Sequence, residues 1–280
     1  MLLGAVLAWV NPNETVSWWL LPFVLLAGLL YHSAANVVSD YFDYKRGVDR
    51  VGTMGGSGVL VGGLMQPRTL FVGGLAMFAA GTALGLWMVS IRGVPLLYLG
   101  LAGLIGGFFY GGWPLQLKYR GLGELVIFLL FGPLMVIGSY FVLTGSLGPL
   151  TSLVLVSLPI GLLVAAILNA NNFRDIADDS HAGITTVSNA FGVKVAAAQY
   201  YILVAGAYLS VIVMVAFSVI PYWTLLVALS IPPALKVIRK IHSTDQTNTS
   251  DLALIDQMTA QVHLLFGVLL MLGILLGELF

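Results

Sequence analysis

Cysteine is absent from this 280-residue sequence. Its absence excludes disulfides, thiolate metal sites and a cysteine nucleophile. Charge is scarce: only 9% of residues are Asp, Glu, Lys or Arg, against roughly 25% in soluble domains. The formal net charge is zero, so nothing in the balance invites a nucleic-acid partner. No basic stretch precedes the apolar start, and a cleaved signal peptide is therefore not expected. What remains is 59% hydrophobic. That composition belongs to an integral membrane protein, read here as one domain over 1–280.

A spanning helix needs about 20 apolar residues. Eight full candidates stand at about 17–38, 69–90, 94–112, 122–144, 150–171, 193–216, 220–237 and 258–278. Met1 to Val10 reads as the second half of another span, too short to cross alone. The expectation is an all-α polytopic protein with about nine transmembrane helices, the first truncated. Gly81 and Gly85, Gly103 and Gly107, and Gly273 and Gly277 form G-x-x-x-G pairs. Such pairs let helix backbones approach closely in lipid, and general packing is their bland explanation.

The loops alternate. Those at 11–16, 91–93, 145–149 and 217–219 are short. Those at 39–68, 113–121, 172–192 and 238–257 are mostly longer and polar. Eleven of the twelve Lys and Arg residues lie on or beside the second set; only Arg92 lies with the first. The positive-inside rule makes the second side cytoplasmic. Ten of the twelve acids are there too. Acids do not set topology, so their clustering needs another reason.

Two stretches hold them. Asn36-Val-Val-Ser-Asp-Tyr-Phe-Asp-Tyr-Lys-Arg-Gly-Val-Asp49 closes one apolar segment, and Asn169-Ala-Asn-Asn-Phe-Arg-Asp-Ile-Ala-Asp-Asp179 closes another. Asp40 and Asp43 share a helix face at three-residue spacing. Aligning Asp40 with Asp175 pairs Asn36 with Asn171 and Asp43 with Asp178; Asp179 offers an alternative at four-residue spacing. Helices one to four and five to eight then read as two parallel halves, each with its motif on its second helix. A single Asp at a helix end is most often a solvated cap. Two matched clusters are harder to explain that way, because like charges on one face repel unless a cation binds. Oxygen-only ligands suit Mg²⁺ or Ca²⁺, and Mg²⁺ binds through one or two carboxylates plus substrate phosphates. The clusters therefore predict a diphosphate clamp at the membrane face. Lys45, Arg46, Lys118, Arg120 and Arg174 are expected to neutralise the remaining charge.

At these residues the sequence resembles the UbiA superfamily of intramembrane prenyltransferases, most of all the 1,4-dihydroxy-2-naphthoate polyprenyltransferases of menaquinone synthesis. The likeness rests on Ser39 to Asp49, on Asn171 to Asp179, and on Leu117-Lys-Tyr-Arg-Gly-Leu-Gly-Glu124 with Phe131-Gly-Pro and Gly138-Ser-Tyr140. It implies nine helices around a central cavity, with Mg²⁺ between the motifs. It implies transfer of a prenyl chain from polyprenyl diphosphate to dihydroxynaphthoate, with carbon dioxide and diphosphate lost and demethylmenaquinone formed. By position it makes Asp40, Asp43, Asp175 and Asp179 the catalytic, Mg²⁺–diphosphate residues. Asn36, Asp49, Lys118, Asn172 and Arg174 support substrate binding; Tyr31, His32 and Tyr140 are candidate contacts of the aromatic acceptor, Tyr140 foremost for its family match. The implied location is a bacterial or archaeal cell membrane, with the site on the cytoplasmic side.

The sequence departs from that pattern in three places. Ser39 stands where the family has Asn, Ile184 where it has Lys, and Ala190 near where it has Arg. Three other readings compete: a relative using another aromatic or lipid acceptor, a cation-coupled transporter, and a non-catalytic scaffold. Transport is disfavoured because the acids sit at one face, not at the midplane. Tyr31 and His32 also lie near the boundary, where interfacial anchoring is the commoner role. His181 reads as a solvated loop residue and His263 as a packed polar contact. The run Gly55-Gly-Ser-Gly58 is a weak candidate for wrapping a phosphate. Ser243 to Asp256 reads as a solvated connector.

Overall fold

In hydrocarbon each backbone N–H and C=O must be satisfied within its own segment, so apolar runs of spanning length become helices. A computed structural model describes residues 1–53, 56–243 and 252–280. Gly55 and most of the expected connector, Asp245 and Asp251 included, lie outside the described residues. The helices are α1 (Leu2–Val10), α2 (Leu21–Arg46), α3 (Pro67–Arg92), α4 (Val94–Gly111), α5 (Gly123–Thr144), α6 (Leu150–Arg174), α7 (Ile176–His181), α8 (Val187–Phe191), α9 (Val193–Ala216), α10 (Ile231–Ser243) and α11 (Ile255–Leu279). Among the described residues there is no strand, only an isolated bridge between Arg120 and Thr185.

Among the described residues seven helices are long and apolar enough to cross a membrane: α2 (from Trp18), α3, α4, α5, α6, α9 and α11. The chain is an all-α polytopic integral membrane protein. The expected span at 220–237 takes another form. Tyr222–Ser230 is a 3₁₀ stretch, and α10 follows it. Pro232 and Pro233 explain the break, since neither has an N–H to bond back into the preceding turns. α2 also outruns its expected end at 38. It continues to Arg46, where Gly47 adopts φ 74° and donates its N–H to the Asp43 carbonyl. A residue with a Cβ is strained in that left-handed turn.

α6 is central. It packs against α5 on one side and against α9 and α11 on the other. Leu163, Ala166, Ala170 and Phe173 on α6 join Tyr200, Val204, Phe266 and Leu270 in the largest core. α2, α3 and α4 form a second group around Ala34, Val38 and Phe78. Of the glycine pairs, Gly273 and Gly277 carry a close backbone approach. A Cβ on Gly273 would lie 2.5 Å from the Thr224 Cα. Gly103 and Gly107 meet only side chains at ordinary distance. The lone cation of the short-loop side is also explained. Arg92 donates from Nε to the Val142 carbonyl (2.7 Å) and from a terminal nitrogen to that of Leu143 (3.1 Å), closing the end of α5.

Candidate active site

α2 and α6 run the same way, and their ends meet at one small cavity of about 90 Å³. Asp43 and Asp49 line it from the first motif; Asn171, Asn172, Asp175 and Asp179 line it from the second. Lys118 and Tyr119 enter between them from the loop joining α4 to α5.

Asp43 is buried and held on both oxygens. Lys118 Nζ donates to its Oδ2 at 2.5 Å and to Ser39 Oγ at 2.6 Å. Ser39 Oγ in turn lies 3.3 Å from the same Oδ2, and the Tyr119 hydroxyl donates to Oδ1. Ser39, where the resemblance expects Asn, thus still supplies a donor. Carboxylate oxygens of Asp40, Asp43 and Asp49 all lie within 4.8 Å of one another. Among the described residues, the one side-chain partner of Asp40 is the Ser57 backbone N–H at 3.3 Å. Asp49 has no side-chain hydrogen bond among the described residues. Burial, with the charges of Asp43 and Asp40, raises its pKa to about 6.

The second motif is arranged differently. α6 stops at Arg174, Asp175 leaves helical geometry at φ −95° and ψ 11°, and α7 starts afresh. Asp175 accepts two hydrogen bonds from Arg174, at 2.7 and 2.8 Å. Burial raises its pKa, and Arg174 opposes the rise. Asp178 turns outward to an ion pair with Arg50 at 2.7 Å. Asp179 turns inward and is buried, with no side-chain partner among the described residues. Burial first, then the Asp175 charge, raises its pKa to about 7. Asn172 donates to Glu124 Oε1 at 2.9 Å, which fixes its amide at the cavity wall.

Backbone bonds tie the parts together. Ile184 donates to the Asp179 carbonyl (3.2 Å), Thr185 to that of Tyr119 (3.2 Å), and Gly121 to that of Thr185 (2.9 Å). The loop after the second motif is thus stitched to the loop whose Tyr119 holds Asp43.

Several expected residues are elsewhere. Tyr140 sits near the far end of α5, roughly 25 Å along the helix from Gly123 at 1.5 Å per residue. Its hydroxyl accepts from Asn11 (2.7 Å) and donates to Glu14 (3.3 Å), beside a different cavity. The structure does not bring it to the acidic cavity. Arg174 also lies outside that cavity, buried against Asn171, Asp175 and Asp256. Asn36 is a turn below Asp40 and bonds His32 at 3.3 Å; the His32 ring packs on Phe131. Among the expected cations only Lys118 lines the cavity. Arg120 is exposed and reaches the Pro114 carbonyl at 3.4 Å. His181 is exposed, and His263 is half-buried, its Nε2 shielded and without a partner among the described residues.

Tyr119, Tyr110, Glu124 and Arg50 were not singled out from sequence as site residues; Tyr110 also lines the cavity. Tyr119 and Glu124 had a local signal, since both lie in the family-like stretch with Lys118. Arg50 had none, because its partner Asp178 lies 128 residues away.

The profile of the UbiA prenyltransferase family matches residues 1–259. The chain belongs to the UbiA prenyltransferase family. It is 31% identical over 277 residues to 1,4-dihydroxy-2-naphthoate octaprenyltransferase of Bacillus subtilis (strain 168), covering 99% of this chain and 87% of that one. It is 30% identical over 257 residues to human UbiA prenyltransferase domain-containing protein 1, covering 90% of this chain and 72% of the human one. The chicken protein of the same name is 32% identical over 257 residues, with 90% and 73% covered. As a UbiA-family member the chain is a membrane-embedded, prenyl-transferring enzyme, which sets the transporter reading aside.

Proposed function

We propose that the chain, as one transmembrane domain over 1–280, transfers a polyprenyl group from its diphosphate to 1,4-dihydroxy-2-naphthoate, using Mg²⁺. The observation that carries this reading is the convergence of two acidic motifs on one cavity. Four lining carboxylates, Asp43, Asp49, Asp175 and Asp179, face a single ammonium, Lys118. Such an excess of negative charge cannot take a diphosphate without a cation. Asp40, Asp43, Asp175 and Asp179 are all hard oxygen donors and suit Mg²⁺. When bound there, Mg²⁺ offsets the charge that grows on the departing diphosphate.

The protein's own groups do the rest. Lys118 gives one further positive charge at the phosphates, and Asn172 an oriented amide. Asp49 and Asn171 complete the wall. Arg174 acts from behind, by orienting Asp175. The prenyl carbon leaves its phosphate oxygen and bonds to the ring carbon that gives up carbon dioxide. Because that exchange leaves the ring's oxidation level unchanged, the product forms as the quinol of demethylmenaquinone. The similarity to the Bacillus subtilis octaprenyltransferase supports this acceptor. The test is an assay of purified enzyme with labelled polyprenyl diphosphates against naphthoate, hydroxybenzoate and lipid-alcohol acceptors. Dihydroxynaphthoate is expected to be prenylated at least about 10-fold faster than the others, as when a site built for a substrate's polar groups rejects analogues. Equal or greater turnover of another acceptor would move the enzyme to another branch.

The excess of Lys and Arg at the acidic end supports a cavity on the cytoplasmic side, and the similarity to the Bacillus subtilis enzyme supports a bacterial or archaeal membrane. No native Cys interferes with accessibility labelling. Single Cys residues placed at Val51 and Ala177 are expected to react only with reagent admitted to the cytoplasm. Labelling of both from outside would reverse the topology.

Ile184 is buried in the cavity wall, where the family has Lys. Lys194 is exposed and does not line the cavity, and Arg174 is already engaged, so neither replaces the lost cation. Ile184→Lys is expected to lower the Michaelis constant for the prenyl diphosphate several-fold and leave that for the acceptor unchanged. An unchanged donor constant would mean that Lys118 suffices.

A further inference from the structure

Lys45 and Arg46 close α2 next to the first acidic cluster, yet neither lines the acidic cavity. Helix geometry explains why. At 3.6 residues per turn Lys45 lies roughly half a turn from Asp43, with Tyr41 and Phe42 on the same side, and Arg46 sits on the shoulder between the faces. All four residues line a groove of about 680 Å³ on the far side of α2, which Phe71 of α3 and Phe108 of α4 also line.

The groove is aromatic below and cationic above. The Tyr41 ring packs on Phe71 with centroids 4.5 Å apart, and the Lys45 ammonium stands 5.5 Å over Tyr41. The Arg46 guanidinium lies 4.7 Å over Tyr119 and donates to Gln116. Neither cation has a carboxylate within salt-bridge distance among the described residues. Trp113, just past the end of α4, is 68% exposed at the groove mouth. The end of α2, the start of α3 and the end of α4 fix its depth. It is the boundary between hydrocarbon and headgroups, where exposed Trp and Tyr rings sit with one side apolar and one wet.

We propose that this groove seats one anionic phospholipid, with its headgroup phosphate against Lys45 and Arg46 and an acyl chain over the Tyr41–Phe71 floor. The charge pattern selects this occupant. Two cations without carboxylate partners complement a phosphate, and the surface beneath them faces the bilayer, where an acyl chain is always at hand. The groove and the acidic cavity share no lining residue, so the seat is distinct from that of the reacting diphosphate.

The test is native mass spectrometry of the full chain in detergent. It is titrated with phosphatidylglycerol and, separately, with phosphatidylcholine of the same acyl chains. The first phosphatidylglycerol is expected to bind about 10-fold tighter than phosphatidylcholine, as two cations at headgroup depth imply. Lys45→Gln should remove most of that preference. Trp113→Ala, an uncharged change at an exposed residue, should weaken both lipids together. Arg239→Gln alters an exposed cation at the same membrane end but outside the groove, and should change nothing. The proposal fails if the two lipids bind alike, or if Arg239→Gln costs as much as Lys45→Gln. It also fails if geranyl diphosphate displaces the phosphatidylglycerol, since the groove would then belong to the donor's path.

Discussion

Asp179→Asn is expected to lower prenyl transfer by on the order of 10²-fold or more, and Asp178→Asn by less than about 10-fold. The two neighbours differ in what they face. Asp179 is buried at the cavity with no side-chain partner among the described residues, and its pKa is raised to about 7 by burial and then by Asp175. A carboxylate held so, without a partner of its own, is a site for an external cation. Loss of its charge removes a direct ligand, and changes one shell further out already cost 10–100-fold in metal sites. Asp178 is engaged with Arg50, and the two side chains are 33% and 37% exposed. Exposed pairs of that kind contribute about 0–1 kcal/mol, a factor of a few in any rate that depends on loop position. Asp40→Asn, Asp43→Asn and Asp175→Asn should fall with Asp179→Asn. Values of kcat and KM for all five variants decide the matter. A larger loss at Asp178 would exchange the roles of the two residues. Equal, mild losses at every position would place the diphosphate clamp on other residues.

Chelation of divalent cations should abolish transfer, and added Mg²⁺ should restore it. Oxygens of Asp40, Asp43 and Asp49 crowd within 4.8 Å, and Asp175 and Asp179 line the same cavity as Asp43 and Asp49. The neutralising groups are few. Lys118 is bonded to Asp43 and Ser39, and Arg174 to Asp175 and Asp256. A diphosphate adds further negative charge to a space already short of positive charge. Binding of substrate, and not only its turnover, should therefore need the cation. Melting of the purified protein gives a readout independent of turnover. Mg²⁺ with inorganic diphosphate should raise the wild-type melting temperature by several degrees, the scale of mass-action stabilisation by a ligand well above its Kd. The same addition should do little for Asp179→Asn. Full activity in excess chelator would end the clamp model, whatever the melting curves show.

Much of this protein is legible in the chain itself, because the controlling physics is local. Hydrocarbon demands helices of about 20 apolar residues, so composition and run length establish an all-α membrane protein. Lys and Arg in the loops imply its orientation. The alternation of loops puts Asp40 and Asp175 at the same membrane end, and the cavity joins their motifs there. Three-residue spacing put Asp40 and Asp43 on one face, and α2 runs unbroken through both.

Tertiary structure decided what depends on distant partners. Sequence offered Asp178 and Asp179 as equals. The choice follows from a helix break at Asp175 and from Arg50, 128 residues before Asp178. Lys45 and Arg46 looked like diphosphate partners because they adjoin Asp43 in the chain. The run of α2 through Arg46 turns Lys45 to the opposite face. Tyr140 lay in a family-like stretch, but its helix begins at the acidic end and carries it across the membrane to Asn11 and Glu14. Tyr119 meets Asp43 from 76 residues away, on a loop that Thr185 bonds through the Tyr119 carbonyl. Run length and charge are properties of a segment; which oxygen meets which donor is a property of packed helices, and no single segment contains it.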